Sequence, residues 1–199
     1  MKTKKLLLLS SLSIALLFTA CSNNQPEVQP LDKKIEQEMK IKAKKAIKTV
    51  AGALQNTLNA KVKEGGLSNA ATFCATHATS LSKEVSKTLD DGVKLKRITD
   101  KPRNSNSQAN EEQLNIFNEI KTKLANGEKV DMLVKQKSTN HYQVYKPIMM
   151  SGKCLNCHGN GEKRNPEAYN IISKKYPNDK AINYKVGDFR GAFLVDIIK

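Results

Sequence analysis

Apolar residues recur at steps of three and four through the first part of the chain, which is the pattern of amphipathic helices. Over residues 32–64 this spacing predicts one long helix, which Gly65 and Gly66 end. The outer face of this helix carries many lysines. Such a face is most simply solvated, and contact with anionic lipid headgroups is the more specific interpretation.

A second helix is predicted after Ser68, which is a suitable N-cap. At about 100° per residue, Cys74 lies near the centre of its apolar stripe, and His77 lies about 80° away at the border with solvent. We therefore expect Cys74 to point into the core and His77 to point away from it. The stripe contains Ala71, Cys74, Ala78, Leu81 and Val85.

The second part of the chain reads mainly as strands. "DGVKLKRIT" predicts a strand, and Asn110 can cap a third helix over 111–125. "VDMLVKQ" and "NHYQVYKPIM" alternate as two strands joined by the polar turn "KSTN", and "GAFLVDII" is a last strand. A short helix is expected over 168–175. Helices followed by an antiparallel sheet predict an α+β fold.

The first twenty residues have the order of a secretory signal peptide: Lys2, Lys4 and Lys5, then an apolar run over 6–18, then small residues. The apolar run is short for a transmembrane helix. "LFTAC" resembles the lipobox of bacterial lipoproteins, in which Cys21 would be acylated. An uncleaved anchor, or secretion with an incidental cysteine, is the alternative.

These features divide the chain into a signal peptide (1–20), a tether (21–31) and one domain (32–199). They place the protein in the bacterial cell envelope, anchored to membrane lipid through Cys21 and facing the periplasm or the cell exterior. Resemblance to known lipoprotein sorting favours the outer membrane, because no aspartate follows Cys21.

The net charge of +15 comes almost entirely from lysine, since the chain has only four arginines: Arg97, Arg103, Arg164 and Arg190. Lysine is a hydrated point charge, which suits solubility or an acidic partner such as an anionic membrane. No groove-reading motif accompanies the charge, so we expect no nucleic-acid binding.

"SGKCLNCHGNG" concentrates Cys154, Cys157 and His158 in a chain with four cysteines and three histidines. Cys-x-x-Cys-His is the attachment motif of c-type haem: the two thiols form thioethers and the histidine binds the iron. A thioredoxin-like redox pair would need a βαβ frame, which the pattern lacks. A zinc site could recruit Cys74 and His77, but the spacing matches no familiar finger. One covalent haem c is therefore predicted.

The second axial ligand of that haem stays open on the residues alone. Cys74 is favoured because it is the cysteine left over in an exported protein, where an unprotected thiol is a liability. A lone buried cysteine is, however, ordinarily a small core residue. His141 comes next and methionine third. The candidates are Cys74, His77, His141, Met132, Met149, Met150, or no residue at all.

Four ordered motifs carry a family resemblance: "SNAATFCATHA", "ITDKPRNSNSQANEEQL", "YQVYKPIMMSGKCLNCHG" and "YPNDKAINYKVGDFRGAF". Together they resemble the c-type haem-binding domain with a PAS-like fold, a family long catalogued as a domain of unknown function. The resemblance runs from about residue 34 to the C-terminus. Ser105 replaces a usual proline, and Asn183 stands where glycine is common.

This resemblance implies a PAS-like antiparallel sheet flanked by helices, with haem attached through Cys154 and Cys157. It implies His158 and Cys74 as the axial ligands, and places Arg103, Asn104 and "GDFRG" in the haem surroundings. Because arginine suits bidentate contact with carboxylates, we expect Arg103 and Arg190 near the haem propionates.

The expected function is that of a membrane-tethered, single-haem, cytochrome-like protein in redox sensing or one-electron transfer. Two axial ligands would leave no open position on the iron for a substrate, so we do not expect the protein to be an enzyme. A redox partner protein would exchange the electron or receive the signal. The alternative is a zinc-stabilised structural or interaction lipoprotein without haem.

Cys21→Ser is predicted to move the protein from the membrane fraction to the soluble fraction, or to stall its processing, because the acylated residue is lost. Cell fractionation with immunoblotting measures this, and globomycin treatment should reproduce the stalled processing. Unchanged membrane association and maturation of the variant would contradict lipidation.

Overall fold

The computed structural model describes residues 31–199, and the signal peptide, Cys21 and the tether lie outside the described residues. Residues 31–199 form one compact unit. None of the helices in this range is long and apolar enough to cross a membrane. The helices are α1 (Lys33–Thr76), α2 (Ala78–Ser86), α3 (Glu111–Ala125), α4 (Leu155–His158) and α5 (Pro166–Lys175), and the strands are β1 (Val93–Ile98), β2 (Leu133–Ser138), β3 (His141–Met149) and β4 (Phe189–Ile198).

Helix α1 is broken where the two glycines were expected to end it. Gly65 and Gly66 have non-helical backbone angles, and Gly66 adopts φ 68°, a value that favours glycine. The prediction of two helices on either side of this point is confirmed. The second one is shorter than predicted, because the backbone turns at His77 (φ −119°) and α2 begins only at Ala78.

The four strands form one antiparallel sheet in the order β1-β4-β3-β2. The predicted α+β fold, with an antiparallel sheet flanked by helices, is confirmed. The N-terminal section of α1 covers one face of the sheet through Met39, Ala43, Ala46, Tyr142, Val144, Val195 and Ile197. Helix α3 covers the other face through Ile98, Phe117, Ile120, Tyr145 and Leu194.

Local signals explain where α3 begins. The Asn110 side chain accepts a hydrogen bond from the Gln113 backbone N–H, and the Gln113 side chain accepts one from the Asn110 N–H. This capping box satisfies two backbone donors that the first turn of a helix leaves free. The predicted cap and both predicted helix ends are confirmed.

The remaining helices, α4 and α5, follow the end of β3. The C-terminal section of α1 packs on α5 through Ala71, Ala168 and Ile172, and Cys157 packs against this cluster. Gly191 on β4 has φ 130°, and a Cβ there would lie 2.3 Å from the Ile98 carbonyl oxygen. Glycine therefore lets β4 approach β1 closely beside Arg190.

Candidate functional site

The Cys-x-x-Cys-His motif follows β3 directly. A 3₁₀ turn (Gly152–Cys154) leads into α4, so Cys154, Cys157 and His158 lie on consecutive helical turns. Both cysteines are half-buried free thiols. A Cβ at Gly159 would lie 2.8 Å from the Leu155 carbonyl oxygen, so only glycine lets the chain leave α4 this tightly.

The His158 imidazole is oriented by one short hydrogen bond. Its Nδ1 lies 2.7 Å from the Ala181 carbonyl oxygen, and Arg103 Nη2 lies farther from the same ring nitrogen, at 3.4 Å. A carbonyl can only accept, so Nδ1 carries the proton and Nε2 keeps a free lone pair. Burial lowers the pKa of His158 well below its usual value, and the charges of Arg103 and Arg190 lower it further. The ring is therefore neutral at neutral pH, which is the form that binds a metal.

Arg103 holds the motif and the loop after α5 together. Its Nη2 donates to the Cys157 carbonyl oxygen at 2.7 Å, and its Nε donates to Asp179 Oδ2 at 3.0 Å. The other oxygen of Asp179 accepts from the Ala181 backbone N–H at 2.8 Å. Arg103 and Asp179 thus position the carbonyl that orients His158.

Backbone hydrogen bonds join the same two segments. The Asn183 N–H donates to the Gly159 carbonyl and the Tyr184 N–H to the His158 carbonyl, each at 3.0 Å. Asn183 has φ 62°, in the left-handed region that glycine and asparagine tolerate best. This conformation explains why asparagine can stand where glycine is common.

Arg190 is the most buried arginine, with 4% of its surface exposed. Its Nη1 donates to Thr99 Oγ1 at 2.6 Å and to the Lys101 carbonyl at 3.1 Å. Its Nη2 is buried and has no hydrogen-bond partner among residues 31–199, and the same holds for the Tyr184 hydroxyl and for Asp100 Oδ1. Arg190 stacks 5.4 Å from the centre of the Tyr184 ring, so two of these unpartnered groups lie close together.

Cys74 and His77 face different environments, as the helical spacing predicts. Cys74 is half-buried, whereas His77 is exposed and its Nδ1 lies 2.6 Å from Thr76 Oγ1. Burial raises the pKa of the Cys74 thiol, and nearby Cys157 raises it further. Arg103 and Arg97 act in the opposite direction. Cys74 therefore lies in the electrostatic neighbourhood of the motif.

Two residues of this region were missed by the sequence reasoning. Surrounding protein lowers the pKa of Arg97 to about 10, with Arg190 and Arg103 contributing, although the side chain has solvent access. Arg97 therefore belongs to the same cluster of positive charge as Arg103 and Arg190. Tyr184 is the other. The scarcity of arginine could have pointed to Arg97, but no sequence signal singles out Tyr184.

Other candidates lie elsewhere or have local roles. His141 starts β3, about 27 Å from the end of that strand at about 3.4 Å per residue, and its Nε2 lies 3.1 Å from Asp196 Oδ1. Met132 packs against the α1 side of the sheet, and Met149 is exposed. Met150 packs beside Cys154. The Asn104 side chain accepts from the Asn106 N–H, within its own turn.

No group of three or more His, Cys, Asp or Glu side chains within residues 31–199 is arranged to hold a metal ion. The zinc interpretation needs such a group around Cys74 and His77. It therefore has no ligand set in the part of the chain that is described.

Comparison with known proteins identifies the family. The model of the Tll0287-like family (Tll0287) matches residues 32–197. The resemblance drawn from the four sequence motifs, to a haem-binding domain family, is confirmed. Among solved structures, the crystal structure of the cyanobacterial heme-protein Tll0287 aligns with a TM-score of 0.56 and 23% identity, covering 84% of this chain and 97% of that one. None of the curated proteins matches.

Asp179→Asn is predicted to destabilise the domain by about 3 kcal/mol, because it leaves the Arg103 charge partly buried without its partner. The Asp179 side chain is only 1% exposed. Urea denaturation measures the effect. Asp131→Asn is the matched control, since that side chain is 79% exposed and its pairing with Lys146 should contribute less than 1 kcal/mol. Equal midpoints for the two variants would contradict the positioning role of Asp179.

Proposed function

We propose that this chain, which belongs to the Tll0287-like family, carries one covalently attached haem c and acts in redox sensing or one-electron transfer. The observation that carries the proposal is the state of His158. Its neutral ring directs the Nδ1 proton to Ala181 and keeps Nε2 free as a ligand, directly after two free thiols spaced for thioether attachment. The matching solved structure is described as a heme-protein, which supports the same conclusion.

The residues around the motif fit the charge of a haem. Its two propionates are carboxylates. Three arginines lie near the motif, Arg97, Arg103 and Arg190, and the surrounding protein and the charge of Arg103 lower the pKa of the other two. The buried Arg190 Nη2 and Tyr184 hydroxyl both lack a partner among the described residues and can donate to a carboxylate. We infer that Arg190 and Tyr184 hold one propionate. Arg103 is already engaged by Asp179 and Cys157, so its main role is positioning.

When bound, haem c supplies an iron centre that exchanges one electron. Cys154 and Cys157 would hold it covalently through thioethers, and His158 would bind the iron. We propose that Cys74 would supply a second ligand, from its electrostatic interaction with Cys157 and from the family resemblance. A thiolate ligand lowers the reduction potential, and the hydrogen bond from His158 to Ala181 adds to this by making the imidazole more electron-rich.

With His158 and Cys74 both serving as iron ligands, a substrate would have to displace one of them, and we therefore propose a carrier or sensor rather than an enzyme. A redox partner protein would take up the electron or the signal. The lipobox-like sequence at Cys21 supports a lipid-anchored location in the bacterial envelope.

The first test is whether haem remains with the polypeptide. Protein produced in a host that exports and matures c-type cytochromes should keep its colour after acid-acetone extraction. Its pyridine haemochrome should have the c-type form, because thioethers replace the vinyl groups. The double variant Cys154→Ser/Cys157→Ser should lose the colour to the solvent, whereas His141→Ala should retain it. Colour that extracts fully from the unmodified protein would contradict covalent attachment.

The second test concerns Cys74. Cys74→Ala is expected to retain covalent haem, to shift the Soret band, and to raise the reduction potential by about 0.1 V or more, because a thiolate stabilises ferric iron. Spectroelectrochemical titration measures both. His77→Ala is the matched control three residues further along the chain, just after α1 ends, and should change neither. An unaltered spectrum and potential in Cys74→Ala would show that Cys74 only packs.

A further inference from the structure

The N-terminal section of α1 has one continuous basic face. At about 100° per residue, Lys33, Lys34, Lys44 and Lys48 lie on the side of the helix opposite Met39, Ala43, Ala46 and Val50, which are buried against the sheet. All four lysines are exposed. We call this set, together with Ile41, the basic face.

The four lysines differ from their neighbours in having no carboxylate partner within residues 31–199. On the flanks of the same helix, Lys40 pairs with Glu36, Lys42 with Glu38 and Lys45 with Asp90. Glu36 and Glu38 thus lie beside the basic face and are already paired, and Asp32 caps the backbone N–H groups of the first turn. The face itself presents these four lysines, without ion pairs in the described part of the chain, over about 22 Å of helix, at 1.5 Å per residue.

Ile41 lies in the middle of the basic face and is 59% exposed, one of the few large apolar side chains on the surface of the described residues. A polyanion such as nucleic acid gains nothing from a solvent-facing isoleucine. The headgroup region of a bilayer accepts both elements, since lysines bind anionic headgroups while an apolar side chain enters the boundary of the acyl chains.

We propose that the basic face binds the surface of an anionic lipid bilayer, so that the first half of α1 lies along the membrane. The sheet packs on the opposite side of this helix and would then face away from the bilayer. The face begins two residues after Leu31, where the segment that starts at Cys21 reaches the domain. The ten residue steps from Cys21 to Leu31 span at most about 36 Å, which keeps the face within reach of a lipid attached at Cys21.

Lipid at Cys21 would anchor the protein, whereas the basic face would set its orientation. The proposal rests on neither haem nor lipidation, and the experiment removes the possibility of acylation with Cys21→Ser. If the basic face does not bind membranes, the proposed haem function is unaffected.

The chain contains no tryptophan, so the fluorescence of a single introduced tryptophan reports on the surroundings of that position alone. In the full chain carrying Cys21→Ser, Ile41→Trp should show an emission maximum that moves to shorter wavelength with phosphatidylglycerol vesicles. Phosphatidylcholine vesicles should shift the emission maximum less. Added salt should reverse the shift that the anionic vesicles cause. Val186→Trp, at an exposed position outside the basic face, should keep its maximum with both kinds of vesicle.

Replacing Lys33, Lys34, Lys44 and Lys48 with glutamate should weaken binding to the anionic vesicles at least about 100-fold, since each lysine contributes about fivefold. The matched control replaces four other exposed lysines, Lys96, Lys129, Lys163 and Lys185, and changes the net charge equally. Its binding should stay within about threefold of the parent. Equal losses in the two variants would overturn the proposal, because net charge alone would then govern binding. Equal movement of the Ile41→Trp maximum with both lipids, or tighter binding to duplex DNA than to vesicles, would also overturn it.

Discussion

The hydrogen bond from His158 to Ala181 is the constraint on which the rest of the site depends. It fixes which nitrogen carries the proton, and it exists only because the loop after α5 lies against the motif. Two backbone hydrogen bonds and the Arg103–Asp179 ion pair hold that loop in place. Asp179 serves twice, since one oxygen engages Arg103 and the other engages the backbone of Ala181 itself. An imidazole on a short surface helix would otherwise rotate freely.

The same region concentrates positive charge, and two of its three arginines, Arg103 and Arg190, are largely buried whereas Arg97 is exposed. Arg97, Arg103 and Arg190 repel one another, and Asp179 pairs with only one of them. Buried charges normally have partners, and buried polar atoms normally have hydrogen bonds. The unpartnered Nη2 of Arg190 and hydroxyl of Tyr184 depart from that rule at the same place. The propionate carboxylates of a bound haem would supply the missing acceptors. A binding site for such a group therefore explains why these two donors have no partner within the described residues.

The elements that sequence predicts well here are those whose signals are local. The capping box at Asn110, the alternation along β3 and the glycine pair at 65–66 each act within a few residues, and the structure has each of them. The division between α1 and α2 was missed because the apolar stripe continues across His77 while the backbone does not. Local periodicity does not report a change of helix axis.

The candidate site divides in the same way. Cys154, Cys157 and His158 form a contiguous motif, so their common location follows from the sequence itself. Cys74 could be singled out only by elimination, by its place in an apolar stripe and by the family resemblance. The carbonyl of Ala181, the hydroxyl of Tyr184 and the solvent-accessible Arg97 reach the motif through tertiary packing of segments far apart in the chain, and no short pattern encodes that packing. Asp179 similarly looks like an ordinary turn residue until Arg103 is placed beside it.

The central claim is that a single haem is attached at this motif. Mass spectrometry of the intact, denatured protein, followed by peptide mapping, tests it most directly. We expect a mass increase equal to one haem, located on the peptide that contains Cys154, Cys157 and His158, with Cys74 recovered as a free thiol. An unmodified mass, with alkylatable thiols at both Cys154 and Cys157 in protein matured in an export-competent host, would contradict it.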